Sequence, residues 1–237
     1  MLSGQTAVID GVGNGSRLST AYFLFVRHSN DRPGMQKRKM TFCKKELRRR
    51  LLGLRDGLSS GQRQELSAKA AALIRSLDVW RRAQTVLLYA PFRNELDVSS
   101  LLEELFGRGA TVLLPRCRPG RNGEMDLARS TCAADLVPGA YGILEPNPET
   151  CPALPEPGRN PAVDLAVVPG VGFDRRGYRI GFGQGYYDRL LGSEAMAGCL
   201  SVGVGYHFQL VDNIPCDPWD VPLRAVVTDK EVAWTAS

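Results

Sequence analysis

Residues 163–189 read VDLAVVPGVGFDRRGYRIGFGQGYYDR, and the local pattern changes twice within that stretch. Val163 to Val168 is a short apolar run, the pattern of a strand buried on both faces. Six of the 16 residues from Gly170 to Gly185 are then glycine, where 25 glycines in 237 residues would place fewer than two. A helix is predicted to begin near Tyr186. Strand, glycine-rich turn and helix in this order is how an open α/β sheet binds ligands, outside the carboxyl end of a strand. Gly181, Gly183 and Gly185 let successive N–H groups point at an anion, and the start of the following helix adds positive potential. Arg179 can supply a guanidinium to a phosphate. Asp188, in the first helical turn, can hold Mg2+ bridged to phosphates. Each residue also has a plain structural reading: the glycines make a tight turn, and Asp188 complements the helix dipole for on the order of a few tenths of a kcal/mol. The spacing is neither GxxxxGK(S/T) nor GxGxxG, so the common nucleotide fingerprints do not name the ligand.

Outward from this segment the chain alternates helices and apolar runs. Thr85–Ala90, Ala110–Leu114, Leu200–Val204 and Ala225–Thr228 are further buried strands. Thr41 is expected to cap a helix running to about Asp56, with Cys43, Leu47, Leu51 and Leu54 on one face and Lys44, Arg48 and Arg55 as a basic stripe beside it. Ser59 and Gln62 have the spacing of a capping box, opening a second helix that turns Leu66, Ala70, Leu73, Ile74 and Leu77 inward. Asp97 caps a third helix through Phe106, closed by Gly109. Strand, helix and strand joined by short links predict a right-handed crossover and parallel pairing. Residues 118–162, rich in Pro, Gly and Asn, carry short strands and long loops. The fold class is α/β: a single domain with a mostly parallel central sheet flanked by helices.

Composition narrows the function classes. The chain of 237 residues is 43% hydrophobic and 23% charged, ordinary for a globular protein. No apolar run approaches the roughly 18 residues of a membrane span. The net charge of +5 hints at an anionic partner, but it is unevenly spread. Residues 1–40 hold six basic and two acidic residues, and residues 41–237 are only +1. The six cysteines include no CxxC pair and the only histidines are His28 and His207, which argues against a zinc knuckle and against Ser-His-Asp hydrolysis. Sparse cysteine in a chain of this length fits a reducing cytoplasm. In residues 1–40, the glycines from Gly11 to Gly15 lack dinucleotide-fingerprint spacing, and the apolar stretch Ala21–Val26 is too short and poorly flanked for a signal peptide. These residues are expected to be an unstructured extension or the product of an upstream start codon, with Met35 and Met40 as alternative starts.

The glycine-rich residues resemble the signature of the 5-formyltetrahydrofolate cyclo-ligase (methenyltetrahydrofolate synthetase) family. Pro169-Gly170, Phe173-Asp174, Gly177, Arg179-Ile180-Gly181 and Gly183-Gln184-Gly185-Tyr186-Tyr187-Asp188 stand at the positions of that pattern. Lys44 and Arg48 match the family's first-helix Lys-x-x-x-Arg. Glu95, within Pro91–Asp97, matches its acidic pterin contact. Pro115-Arg116, Tyr141 to Pro146, and Asp220 match three further elements, so the likeness spans residue 41 to about 232 and leaves residues 1–40 outside.

The resemblance implies a cyclo-ligase domain over 41–237 with a fold like that of sugar-phosphate isomerases and CoA transferases. It implies ATP- and Mg2+-dependent closure of 5-formyltetrahydrofolate to 5,10-methenyltetrahydrofolate, with release of ADP and phosphate. The ATP-binding residues it implies are Lys44, Arg48, Arg179, Ile180, Gly181, Phe182, Gly183, Gln184, Gly185, Tyr186 and Tyr187. Phe92, Glu95, Tyr141, Phe182 and Tyr186 are the implied folate contacts, Asp188 and Asp220 the metal ligands, and Arg179 and Tyr187 the catalytic pair. The implied partners are reduced folate and ATP, with no nucleic acid or membrane, in a cytoplasmic monomer or weak homodimer. Gln184, Cys117 and Arg224 depart from the pattern. Two other readings are a paralogue that keeps the ATP site but takes another substrate, and a nucleic-acid-binding protein using the basic front end. Retention of Glu95 counts against the first. The second needs aromatics interleaved with the basic residues, and residues 41–63 contain only Phe42.

Overall fold

The computed structural model describes residues 43–118, 124–139, 142–154 and 162–235. Residues 1–40, Thr41 and Tyr141 lie outside the described residues. In chain order the strands are β1 (Thr85–Leu87), β2 (Thr111–Cys117), β3 (Met125–Ser130), β4 (Leu136–Pro138), β5 (Leu144–Pro146), β6 (Leu165–Pro169), β7 (Gly172–Asp174), β8 (Arg179–Ile180), β9 (Leu200–Val204), β10 (Leu210–Val211), β11 (Ala225–Val227) and β12 (Val232–Trp234). Seven of them form one sheet in the order β12-β11-β9-β6-β1-β2-β3. All neighbours from β11 to β2 are parallel, and β12 and β3 close the two edges antiparallel. The five apolar runs of the sequence are the five parallel strands.

Alternation along those strands makes two cores. Val86, Leu88, Val112, Leu114, Leu165, Val167 and Val202 face one way, against residues of α2 (Ser60–Ser76), α3 (Asp78–Arg82) and α4 (Ser99–Gly107). Leu87, Leu113, Ala166, Val168 and Val226 face the other, where Phe173, Leu223 and α5 (Tyr186–Leu191) cover them. Burial on both faces explains why these strands read as continuous apolar runs.

The helices follow their sequence signals with local corrections. The capping box of α2 forms as expected: the Gln62 N–H donates to Ser59 Oγ and the Ser59 N–H to Gln62 Oε1. Asp97 accepts from the Ser99 N–H at 2.8 Å, but the residue preceding α4 is Val98, so the carboxylate works one position early. The short α3 has no counterpart in the expected elements. The first helix, α1 (Lys44–Asp56), starts after Cys43, which makes no side-chain cap. Its inward face is Leu47, Leu51 and Arg55, while Leu54 is 40% exposed. Arg55 therefore leaves the basic stripe in which its spacing put it and takes the core position expected of Leu54.

The glycine-rich run is more than a loop. Its first half folds into the hairpin β7/β8, extended by β10 pairing parallel to β7. Leu47 and Leu51 of α1 pack on this small sheet through Val171, Ile180 and Ile214. The hairpin turn is built around Asp174, whose buried carboxylate accepts the N–H groups of Arg176, Tyr178 and Ile214 and the Arg176 guanidinium. Among the described residues no helix is long and apolar enough to cross a membrane.

Candidate active site

The carboxyl ends of the parallel strands open into a cavity of about 1040 Å³, large by the standard of small-molecule sites. Ala90 beyond β1, Cys117 at the end of β2 and Gly170 beyond β6 line its base, and α1 and the glycine loop form its sides. Docking α1 on the β7/β8 hairpin brings Lys44 and Arg48, one turn apart, to the loop. Arg48 donates from Nε to the Gly181 carbonyl at 2.6 Å. Gly183 has φ +103°, and the guanidinium of Arg48 stands 3.5 Å from where its Cβ would be. Gly185 is also left-handed, whereas Gly181 is not.

Arg179 is the most firmly held cation of the site. Its side chain is buried, with Nη2 donating to Asp188 Oδ1 at 2.9 Å and Nη1 to the Val221 carbonyl at 3.2 Å. Burial pulls its guanidinium below the ordinary value, and the Asp188 carboxylate works against that. Tyr187 lies under the Arg179 guanidinium, and burial pushes its phenol above the ordinary range, so it stays a neutral donor. Asp188 also accepts from the Val221 N–H, which ties α5 to the residue after Asp220.

Asp220 accepts from Lys44 Nζ at 2.7 Å, and Asp217 accepts from the same ammonium at 2.5 Å. Burial alone would lower the Lys44 ammonium, but the two carboxylates overcome it and hold the group above its ordinary value. Each of the two carboxylates expected to hold metal is thus paired with a cation that itself faces the cavity.

Across the cavity, Glu95 accepts from the Phe92 N–H at 3.0 Å, and its other oxygen lies 3.8 Å from Arg55 Nη1. Phe92 meets Phe182 of the glycine loop edge-on, with ring centroids 6.4 Å apart. Tyr186, Gln184 and Cys117 line the same space. Burial and the Glu145 carboxylate push the Cys117 thiol up to about 11, which keeps it protonated.

Among the expected site residues, Ile180 reaches the cavity only marginally: it is 2% exposed and belongs to the α1-facing core. His207 and Arg224 do not line the cavity. Sequence reasoning missed Asp217, Arg55, Glu145 and Trp219. Trp219 lines the cavity at 71% exposure, and an aromatic standing between two aspartates in a proline-rich turn was the signal for it.

Comparison with known proteins gives this arrangement its context. The sequence profile of the 5-formyltetrahydrofolate cyclo-ligase family matches residues 40–229. The chain belongs to this family. It is 33% identical to the 5-formyltetrahydrofolate cyclo-ligase of Escherichia coli (strain K12) over 178 residues, 75% of this chain and 96% of that one. The NMR structure of Aquifex aeolicus 5,10-methenyltetrahydrofolate synthetase superposes with a TM-score of 0.67 at 38% identity, covering 82% of this chain and 93% of that one. The Mycoplasma pneumoniae 5,10-methenyltetrahydrofolate synthetase does so with a TM-score of 0.58 at 27% identity, covering 79% and 99%. The cyclo-ligase family match ends at Asp229, so it takes in all five parallel strands and every residue named in the cavity.

Proposed function

We propose that this chain closes 5-formyltetrahydrofolate to 5,10-methenyltetrahydrofolate, using one ATP and releasing ADP and phosphate. The observation that carries the reading is a single cavity with two chemically different ends. Lys44, Arg48, Arg179 and the glycine-loop backbone suit a phosphate chain, and Glu95 with the Phe92 and Phe182 rings suits a flat, N–H-rich ring. The names of the related proteins contain both the proposed substrate and the proposed product.

The chemistry explains why both ends are needed. A formamide oxygen is a very poor leaving group, so direct ring closure has a high barrier. Transfer of the γ-phosphoryl group to that oxygen breaks the bond to the ADP oxygen and makes the formyl carbon electrophilic. N10 then attacks this carbon and loses its proton to solvent, and the C–O bond breaks with phosphate as leaving group. Phosphoryl transfer depends mainly on alignment and charge neutralisation. Arg179, anchored at Asp188 and Val221, and Lys44, held protonated by Asp217 and Asp220, supply fixed positive charge for it. Among the described residues no histidine lines the cavity, and the reaction calls for no histidine base.

The residues present fit Mg2+. Asp188, Asp217 and Asp220 line the phosphate end, of which Asp188 and Asp220 are the two proposed to hold the ion, and no cluster of three side chains able to hold a metal occurs among the described residues. One or two carboxylates completed by substrate phosphates is how Mg2+ is usually bound, and when bound it neutralises phosphate charge. Purified protein given 5-formyltetrahydrofolate, ATP and Mg2+ is expected to produce a growing near-ultraviolet absorbance from the methenyl product, and omission of ATP abolishes it. Folded protein that gives no signal with all three present overturns the reading.

Lys44→Met tests the phosphate end. It removes the ammonium and leaves Asp217 and Asp220 facing the cavity without their cation. The KM for ATP is expected to rise by about tenfold or more, ~1.4 kcal/mol, with a smaller change in the KM for folate. Equal effects on both substrates in steady-state kinetics would place Lys44 outside the nucleotide end.

A further inference from the structure

Among the described residues Arg55 is the least comfortable charge. It is 1% exposed, and none of its three guanidinium nitrogens has a hydrogen-bond partner. It completes an inward α1 face whose other members are Leu47 and Leu51. A leucine there would continue that face without the desolvation of a cation. What the guanidinium meets is Glu95 Oε1 at 3.8 Å and the Phe182 ring, whose centroid is 5.8 Å from Cζ. Both residues border the cavity, whereas Arg55 does not line it.

We propose that Arg55 is a positioning residue that holds Glu95 as an oriented, buried anion for the folate ring, acting from behind the cavity wall. The inference rests on the assignment of Glu95 to that ring. The groups around Glu95 favour it. Arg55 faces the carboxyl from α1, Tyr89 from the end of β1 and Tyr187 from α5, while the Tyr206 hydroxyl donates to the Glu95 backbone carbonyl. Burial raises both Tyr89 and Tyr187, so both are neutral, and Arg55 is the cation placed against the carboxylate. Burial also pushes the Glu95 carboxyl above its ordinary value, opposed by the Phe92 N–H and by Arg55. Removing Arg55 takes away one of the two opposing influences, so the carboxyl rises further. A protonated Glu95 presents a hydroxyl in place of an acceptor oxygen, which a ring with several N–H donors binds poorly.

Steady-state kinetics of Arg55→Leu, Arg55→Lys, Glu95→Gln and the Arg55→Leu/Glu95→Gln double variant, each checked by thermal melting, test this. Arg55→Leu is expected to raise the KM for 5-formyltetrahydrofolate by about tenfold, ~1.4 kcal/mol, at the acid end of the enzyme's working pH range. That KM should fall back toward wild type as the pH is raised and the carboxyl loses its proton. The KM for ATP and kcat should change little by comparison. Arg55→Lys, which keeps the charge, should restore much of the folate affinity at the lower pH. Glu95→Gln should raise the folate KM at every pH, and the double variant should add nothing to it. A pH-independent or absent KM effect in Arg55→Leu, with Glu95→Gln impaired, overturns the role of Arg55 alone. An unimpaired Glu95→Gln overturns the assignment of Glu95, and the role of Arg55 with it. Should Arg55→Leu fail to fold, Arg55→Gln carries the same comparison.

Discussion

Arg179→Met is expected to lower kcat/KM by roughly 100- to 1000-fold, about 3–4 kcal/mol of transition-state stabilisation, with the fold retained. Arg179 reaches the cavity from β8, where the neighbouring Ile180 is locked into the core against α1. Its guanidinium is fixed at both ends, by Asp188 and by the Val221 carbonyl. On the proposed mechanism little side-chain freedom is left to lose when phosphate charge builds up beside it, and this fixed charge would be the source of the effect. Methionine fills the stem's volume but offers no charge and leaves Asp188 without its cation. Arg179→Lys keeps one charge without the fork that spans Asp188 and Val221, so it should recover only part of the rate. Methenyl absorbance gives the rate and a melting curve gives the fold. Arg179→Met within tenfold of wild type would make Arg179 a structural strut.

The largest expected effect on stability belongs to a glycine remote from the phosphate end. Gly177→Ala should cost about 3 kcal/mol or more, which for a domain of this size lowers Tm by about 6–12 °C. Gly177 has φ +89°, and a Cβ there would lie 2.2 Å from the Leu223 carbonyl oxygen and 2.9 Å from its nitrogen. Both obstacles are backbone, so no rotamer change relieves them. The Leu223 N–H donates to the Gly177 carbonyl at 2.9 Å, and this bond ties the β7/β8 turn to the segment entering β11. The methyl group must break that tie or bend one of the two chains. Gly61→Ala in α2, where nothing lies within 4 Å of the added atom, is the control and should be neutral or slightly stabilising. Equal melting temperatures for the two variants would show that the turn can move freely.

How much of this was legible in the sequence depended on whether one residue's surroundings were set locally. The five parallel strands were legible because burial on both faces leaves unbroken apolar runs such as Thr85–Ala90. The edge strands were not. β3 mixes Asp126 and Arg129 with its apolar residues, and β12 is a short apolar stretch between Glu231 and Thr235, so neither makes such a run. The hairpin in the glycine-rich run was hidden because β8 is two residues long and takes its place from α1 packing on it. The meeting of Lys44, Arg48 and the glycine loop was readable from the family resemblance, and Glu95 likewise. Arg55 was misplaced because spacing alone cannot tell which side of a helix stripe turns inward when Leu54 and Arg55 are neighbours. Asp217 was missed because its part in the site exists only through Lys44, 173 residues earlier.

The double grip on Lys44 bears on selectivity. An anion entering that corner meets an ammonium that already gives two of its three N–H groups to carboxylates, at 2.5 and 2.7 Å, and has to share it with them. A lone phosphate offers little else to the cavity, whereas a triphosphate on a nucleoside brings further contacts along the glycine loop and Arg48. On the proposed reading, an ammonium already partly neutralised in this way offers little to a small anion that has no second contact, and favours ligands long enough to hold on elsewhere.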